Sequence, residues 1–276
     1  ELISVTVVLM ICFARSGGTL LNQCLGALPN IVMLSEVNPL GSGSGATTHA
    51  SRTVREQAKN WYGIELKSDD CIEGILELEE ICKLTDRQLI VRDWSFINFV
   101  PYQDNGYNPP KKLLTLEYLR TQNCEVKPFA FVRDAIDIWI SRNMPENIFF
   151  SEYLTYVNSI LDNKIRIFKY EDFCENPQSV MQEICAHLQI SYSDEFQNYK
   201  SFTKVNGDVQ IISRGNQCNE IKTLPRKIIS REKINQVNRC AEMIEANRLL
   251  DYPISYSGRS RENFFKKAID KVLSIT

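Results

Sequence analysis

Two stretches of the chain combine residue types that bind anions. The first is FARSGGTLL, Phe13–Leu21, which follows the apolar run ISVTVVLMICF. Gly17 and Gly18 permit close backbone approach, the hydroxyls of Ser16 and Thr19 can donate hydrogen bonds, and Arg15 adds a full charge. A helix starting at about Gly17–Thr19 and running on through Leu20 would point unpaired N–H groups and a positive dipole end at a ligand. The second stretch is KPFAFVRDAIDIWIS, in which Ser141 lies eight residues after Arg133. If Arg133 ends a strand and Ser141 lies in the next helix, a guanidinium sits at the strand's carboxyl end with a hydroxyl two helical turns along. The competing structural readings are a glycine turn into a core helix for the first stretch, and a local ion pair of Arg133 with Asp134 or Asp137 for the second.

The ATP-binding pattern G-x-x-x-x-G-K-[ST] is not met, because no Lys-Ser/Thr pair follows the glycines. The residues that would hold β/γ-phosphates and Mg²⁺ are therefore missing, and the loop is sized for one phosphate.

These stretches need a scaffold that brings them to one edge. Val5–Phe13 is continuously apolar, the pattern of a strand buried on both faces of a parallel sheet. Helical spacing follows over Thr19–Leu28, then a short strand at Asn30–Glu36 and a Gly/Ser-rich loop, NPLGSGSGATTHA, from Asn38 to Ala50. Residues 52–85 read as helical, and RQLIVRDW (87–94), KPFAFVRD (127–134) and KIRIFKYED (164–172) read as strands. Helices are expected at LLTLEYLRTQ, AIDIWISRN, IFFSEYLTYVNSILDN and NPQSVMQEICAHLQI, the last with Pro177 suited to a first turn. Alternation of this kind predicts an α/β three-layer sandwich with a central, mostly parallel sheet, similar to the P-loop NTPase architecture. No repeat or composition break divides residues 1–276, so the expectation is one domain, with about 41–127 as its variable region.

Bulk properties narrow the class. A net charge of −2 gives no general attraction to nucleic acid, so an anion site must be built locally. Nine scattered cysteines without a C-x-x-C pair read as reduced thiols in a cytoplasmic setting, and two histidines, His49 and His187, exclude a His-rich metal site. The N-terminal apolar run is shorter than the roughly 20 residues of a spanning helix. It has no basic segment before it and no small-residue cleavage site after it, so neither a transmembrane segment nor a signal peptide is expected.

Four segments, in order, resemble the PAPS-dependent sulfotransferases. FARSGGTLL resembles their 5′-phosphosulfate loop and FVRDAIDIWIS their 3′-phosphate element. KYEDFCENPQSVMQEICAHLQI is similar to the family's strand–helix segment, and ISRGNQCNEIKTLPR to its late loop over the nucleotide. The resemblance covers most of the chain and is weakest over 41–127. Arg15, where small-molecule enzymes usually carry Lys, and Glu36 in SEVNP resemble the tyrosylprotein-type and bacterial branch, in which that Glu is the proposed base. A right-handed crossover would also bring Glu36 to the edge that carries the Arg15 loop.

The resemblance implies transfer of a sulfuryl group from PAPS to a hydroxyl or amine, leaving PAP, with Glu36 as general base and no metal. Arg15, Ser16, Gly17, Gly18, Thr19 and Leu20 would bind the 5′-phosphosulfate. Arg133, Ser141 and the Arg214-Gly215-Asn216 loop would hold the 3′-phosphate, with Tyr170 approaching the adenine. Three departures stand out: Ala14 for the usual Pro, Gly18 for a Thr that often touches the phosphate, and Arg214-Gly215-Asn216 for Arg-Lys-Gly. Arg92, Asp93 and Trp94 end the third strand at the same edge and either line the acceptor pocket, with Asn38, or form a local ion pair with a packed Trp. His49 reads as a solvated loop residue and His187 as structural. The acceptor, whether small molecule, glycan or peptide, and any homo-oligomeric state are not legible. Alternatives are a nucleotide or small-molecule kinase on a related fold and a non-catalytic PAP- or PAPS-binding protein.

Overall fold

The computed structural model describes residues 6–41, 53–101, 107–122, 124–142, 144–206, 220–223, 226 and 228–256. Its centre is a five-stranded sheet, all parallel, in the order β2-β3-β1-β4-β5. The strands are β1 Thr6–Cys12, β2 Ile31–Val37, β3 Gln88–Asp93, β4 Glu125–Val132 and β5 Arg166–Lys169. Between β1 and β2 runs α1 (Gly18–Gly26). Between β2 and β3 the expected helical stretch is two helices, α2 (Val54–Tyr62) and α3 (Cys71–Leu84), separated at Gly63, which caps α2 with a φ of 68°. After β3 come α4 (Phe96–Phe99) and α5 (Leu114–Thr121), and after β4 come α6 (Ala135–Arg142) and α7 (Glu146–Asp162). α8 (Tyr170–Glu175) and α9 (Pro177–Leu188) follow β5 directly, so Tyr170 opens a helix rather than ending the strand. A 3₁₀ stretch at Asp194–Ser201, α10 (Arg231–Val237) and α11 (Ala241–Leu249) complete the described chain.

Because β1 alternates between two covered faces, all of its residues from Val7 to Cys12 are buried. Val8, Met10 and Cys12 pack with Leu21 and Leu25 of α1 and Ile184 of α9. Val7, Leu9, Ile11 and Phe13 pack with Ile75 of α3, Leu116 of α5 and Tyr153 of α7. The chain turns first to one side of β1 and then to the other, so the carboxyl end of β1 lies at the switch point where such sheets bind ligands. Among the described residues no helix is long and apolar enough to cross a membrane.

The open edge of β2 is covered by side chains of α2. Tyr62 Oη accepts from the Met33 N–H and donates to the Met33 carbonyl, both at 2.9 Å. The Gln57 amide does the same for Ser35, both at 2.8 Å. These bonds satisfy main-chain groups that would otherwise be an unpaired edge.

Glu79 is buried on α3, and one of its oxygens has no hydrogen-bond partner among the described residues. Burial raises its pKa to about 7, against a bond from the Leu89 N–H and the nearby Lys83 charge, which lower it. A carboxyl raised in the fold stabilises it fully below its unfolded pKa, and that contribution is lost as pH rises through about 7. Glu79→Gln, which keeps the acceptor, is therefore expected to gain about 3 kcal/mol over the parent at pH 8 and nothing at pH 4. Urea midpoints of the pair across this range check it, and parallel curves would rule the buried carboxyl out as the cause.

Candidate active site

The anion loop is fixed at its entry by aromatic packing. Phe13 meets Phe96, Phe149, Tyr153 and Tyr156 at ring-centroid distances of 5.0–6.1 Å. Its carbonyl accepts both the N–H and the hydroxyl of Ser16, at 3.2 and 2.7 Å. The Ser16 hydroxyl thus closes the turn, and Ser16 is fully buried. Arg15 and Gly17 both have left-handed backbone, with φ of 74° and 87°. A non-glycine residue held there is strained, a feature that concentrates at functional sites. At Gly17 a Cβ would also lie 2.3 Å from Cδ2 of Tyr170. Gly17→Ala is expected to cost about 2 kcal/mol or more through strain and overlap, read as a lowered melting temperature; an unchanged one would show that Tyr170 moves aside freely.

Leu21 N–H donates to the Gly17 carbonyl as α1 begins, and no side chain caps this helix or places an acid in its first turn. Its leading N–H groups therefore face the loop's concavity with a positive dipole end. The glycine at position 18 has a local cause: a Cβ would lie 2.6 Å from Cys12 Sγ and 3.2 Å from Arg92 Nε. The volume a threonine would fill is taken by a buried thiol and a guanidinium.

That guanidinium belongs to a largely buried carboxylate–guanidinium pair. Arg92, at the end of β3, is 7% exposed in its side chain and donates to Glu36 Oε1 at 2.9 Å. Glu36 retains 19% exposure and has a φ of 54°. Burial lowers the Arg15 pKa and the Glu36 charge opposes this, so Glu36 lies within the field of both arginines. Asp93 and Asn38 have a different environment. Asp93 is 2% exposed and accepts from Asn38 Nδ2 (3.0 Å), Ser95 Oγ (2.5 Å) and Thr115 Oγ1 (2.6 Å). Burial raises its pKa and these bonds oppose the rise. The cluster ties the loop after β2 to the end of β3.

Arg133 follows β4 and reaches the anion loop, its Nη1 donating to the Arg15 carbonyl at 3.3 Å. Its guanidinium lies 4.4 Å from the centroid of the Tyr170 ring, and its buried Nε has no hydrogen-bond partner among the described residues. Neighbouring carboxylates are held by other groups. Arg226 pairs with Asp134 at 2.5 Å and with Asp137 at 2.7 Å, while Tyr252 donates to Glu171 at 2.6 Å. Asp137 and Glu171 also form longer ion pairs with Arg133, at 3.8 and 4.0 Å, so the local pairing of Arg133 with Asp137 expected as one reading is present, without a hydrogen bond.

The fold brings the Arg15–Leu20 loop, Glu36, Arg92, Arg133 and Tyr170 to one sheet edge. Ser141 is half-buried in the last turn of α6, eight residues along from Arg133. Tyr170 is 5% exposed and supports Gly17 and Arg133. Arg214, Gly215 and Asn216 lie outside the described residues. Sequence reasoning passed over Arg226: it closes the ISRGNQCNEIKTLPR segment, and nothing in that segment announces Asp134 and Asp137 as its partners.

No family model matches the sequence, and no curated protein matches it at a significant level. Among solved structures the chain is similar to the sulfotransferase domain from the Synechococcus PCC 7002 olefin synthase, with a TM-score of 0.61 at 15% identity over 91% of this chain and 96% of that one. It is also similar to the sulfotransferase domain from the curacin biosynthetic pathway, with a TM-score of 0.57 at 13% identity over 90% of this chain and 98% of that one. The α/β fold of sulfotransferase domains is thus shared along nearly the whole length of both structures.

Proposed function

We propose that this chain is a sulfotransferase that takes PAPS as donor and passes its sulfuryl group to a hydroxyl or amine acceptor. The observation that carries the reading is Arg133. One guanidinium spans the second anion element and the main chain of the first, and among the described residues its buried Nε has no hydrogen-bond partner. A 3′-phosphate near a 5′-phosphate is the ligand chemistry that such a bridge suits. The shared fold with two sulfotransferase domains supports the same reading.

PAPS supplies an activated sulfuryl group on a phosphate that leaves as part of PAP. In this reading the N–H groups of Gly18, Thr19 and Leu20 and the Arg15 side chain hold the 5′ end and stabilise charge on the leaving oxygen. Glu36 takes the acceptor's proton at a carboxylate oxygen, and Arg92 fixes its direction through the 2.9 Å pair. Arg133 and Ser141 hold the 3′-phosphate, with Arg226 drawing Asp134 and Asp137 away from it. Arg214, Gly215 and Asn216 are proposed for the same phosphate. Asp93 and Asn38 shape the acceptor side by fixing the loop that carries Leu40 and Gly41, whose N–H groups bond Asn38 at 3.0 and 2.9 Å. No step in this scheme calls on a metal ion.

Calorimetric titration with PAP, 5′-AMP and ATP, each with and without Mg²⁺, tests the reading. Binding of PAP that needs no Mg²⁺ and is at least tenfold tighter than that of AMP is expected. Equal affinity for PAP and AMP, or preference for ATP with Mg²⁺, would overturn the 3′-phosphate assignment and favour a kinase.

A further inference from the structure

We propose that Gln57 and Asn206 are positioning residues, which hold the main chain of Ser35 in place of a neighbouring strand and so aim Glu36 at the Arg15 loop. The inference rests on Glu36 being the base of the proposed reaction. Its structural part starts from the register of β2 on β3. Leu34 pairs with Val91 and Val37 with Asp93, so Ser35 and Glu36 together oppose Arg92 alone. One extra residue in a strand turns its side chain out of the alternation, and such bulges recur beside active sites. Here the extra residue is Glu36, in left-handed backbone at φ 54°.

A bulge on an edge strand has no second strand to fix it. Ser35 is fully buried, and five hydrogen bonds from three elements hold it. Gln57 Oε1 accepts its N–H and Gln57 Nε2 donates to its carbonyl, the pair a strand would make. Asn206 Nδ2 donates to the same carbonyl at 3.0 Å, filling its second lone pair. The Asn206 N–H donates to Ser35 Oγ at 3.0 Å, and Arg92 Nη1 reaches that oxygen at 3.4 Å. Arg92 therefore binds Ser35 and Glu36 at once, and the Ser35 bonds from α2 and from residue 206 set where the Glu36 carboxylate meets it. Tyr62 supplies an internal comparison. It makes the same kind of edge bonds to Met33, two residues earlier, where the strand is regular.

The test compares Asn206→Ala and Gln57→Glu with Tyr62→Phe. Gln57→Glu keeps the size and the acceptor but removes the donor. Three readouts are taken: PAP affinity, the single-turnover rate of PAP release from PAPS with water as acceptor, and the ¹³C resonance of the Glu36 carboxyl, which reports its contact with Arg92. Asn206→Ala is expected to lower the rate 10- to 100-fold, to leave PAP affinity within twofold, and to shift the Glu36 resonance, and Gln57→Glu to do the same where it folds. Tyr62→Phe should leave all three unchanged. An unshifted Glu36 resonance in Asn206→Ala overturns the inference whatever the nucleotide data show. A rate lost in step with PAP affinity, or equally in Tyr62→Phe, also overturns it by making these bonds merely structural. If the parent protein binds no PAP while Asn206→Ala still shifts the Glu36 resonance, the positioning holds and the PAPS reading falls.

Discussion

Glu36→Gln is expected to lower the rate of sulfuryl transfer by about 10²–10⁴-fold, the range removed with a general base, and to leave PAP affinity within threefold. The substitution keeps the shape and one oxygen, so Arg92 Nη2 still has an acceptor at the position it now occupies 2.9 Å away. What is lost is the ability to accept a proton from a hydroxyl or amine. Glutamine also leaves the buried Arg92 without its counter-charge, so a lower melting temperature should accompany the loss. The rate is therefore compared at a temperature where both proteins are folded, with PAP calorimetry as the control. Retention of the parent rate with normal PAP binding would move the base elsewhere and reduce Glu36 to a partner of Arg92.

Arg133→Ala is expected to weaken PAP binding by about 10- to 100-fold, matching one or two charge-assisted hydrogen bonds at roughly 1.5–3 kcal/mol together, with 5′-AMP affinity much less changed. The contrast between the two nucleotides separates a 3′-phosphate contact from general loss of the site. Arg133→Lys should fall between, because an ammonium keeps charge but cannot donate in two directions from one plane. Part of any loss would come through Tyr170, whose ring now lies beneath the guanidinium and against Gly17. An equal loss for PAP and AMP would indicate that loop support, and not the 3′-phosphate, is what Arg133 provides.

The legible part of this protein was local. The short, unbroken apolar run Val7–Cys12, rich in β-branched residues and stopped by the Arg-Ser-Gly-Gly turn, points to a strand covered on both faces. The alternation of strand and helix specifies the parallel sheet, whose crossovers gather carboxyl ends at one edge. Arg15, Gly17 and Arg133 are placed at the same sheet edge by those rules, since all three lie in the connections that leave the carboxyl ends of β1 and β4. The helices α10 and α11 were not read, because their apolar residues are few and only packing on the body of the domain, as α11 does on α7, gives them a reason to form.

Only the tertiary structure decided how the charges are paired. Sequence leaves Arg92 next to Asp93, yet alternation along a strand sends adjacent side chains to opposite faces, and Arg92 reaches Glu36, 56 positions away, while Asp93 bonds Asn38, Ser95 and Thr115. In the same way Arg133 is not neutralised by Asp134 beside it, because Arg226, 92 positions on, takes that carboxylate. Nor could the sequence show that Gly18 yields its side-chain volume to Cys12 and Arg92, or that a bulge turns Glu36 outward. Element type follows from short-range periodicity and backbone chemistry, which a window of sequence contains. Which acid meets which base depends on distances between elements, and those exist only once the layers have packed.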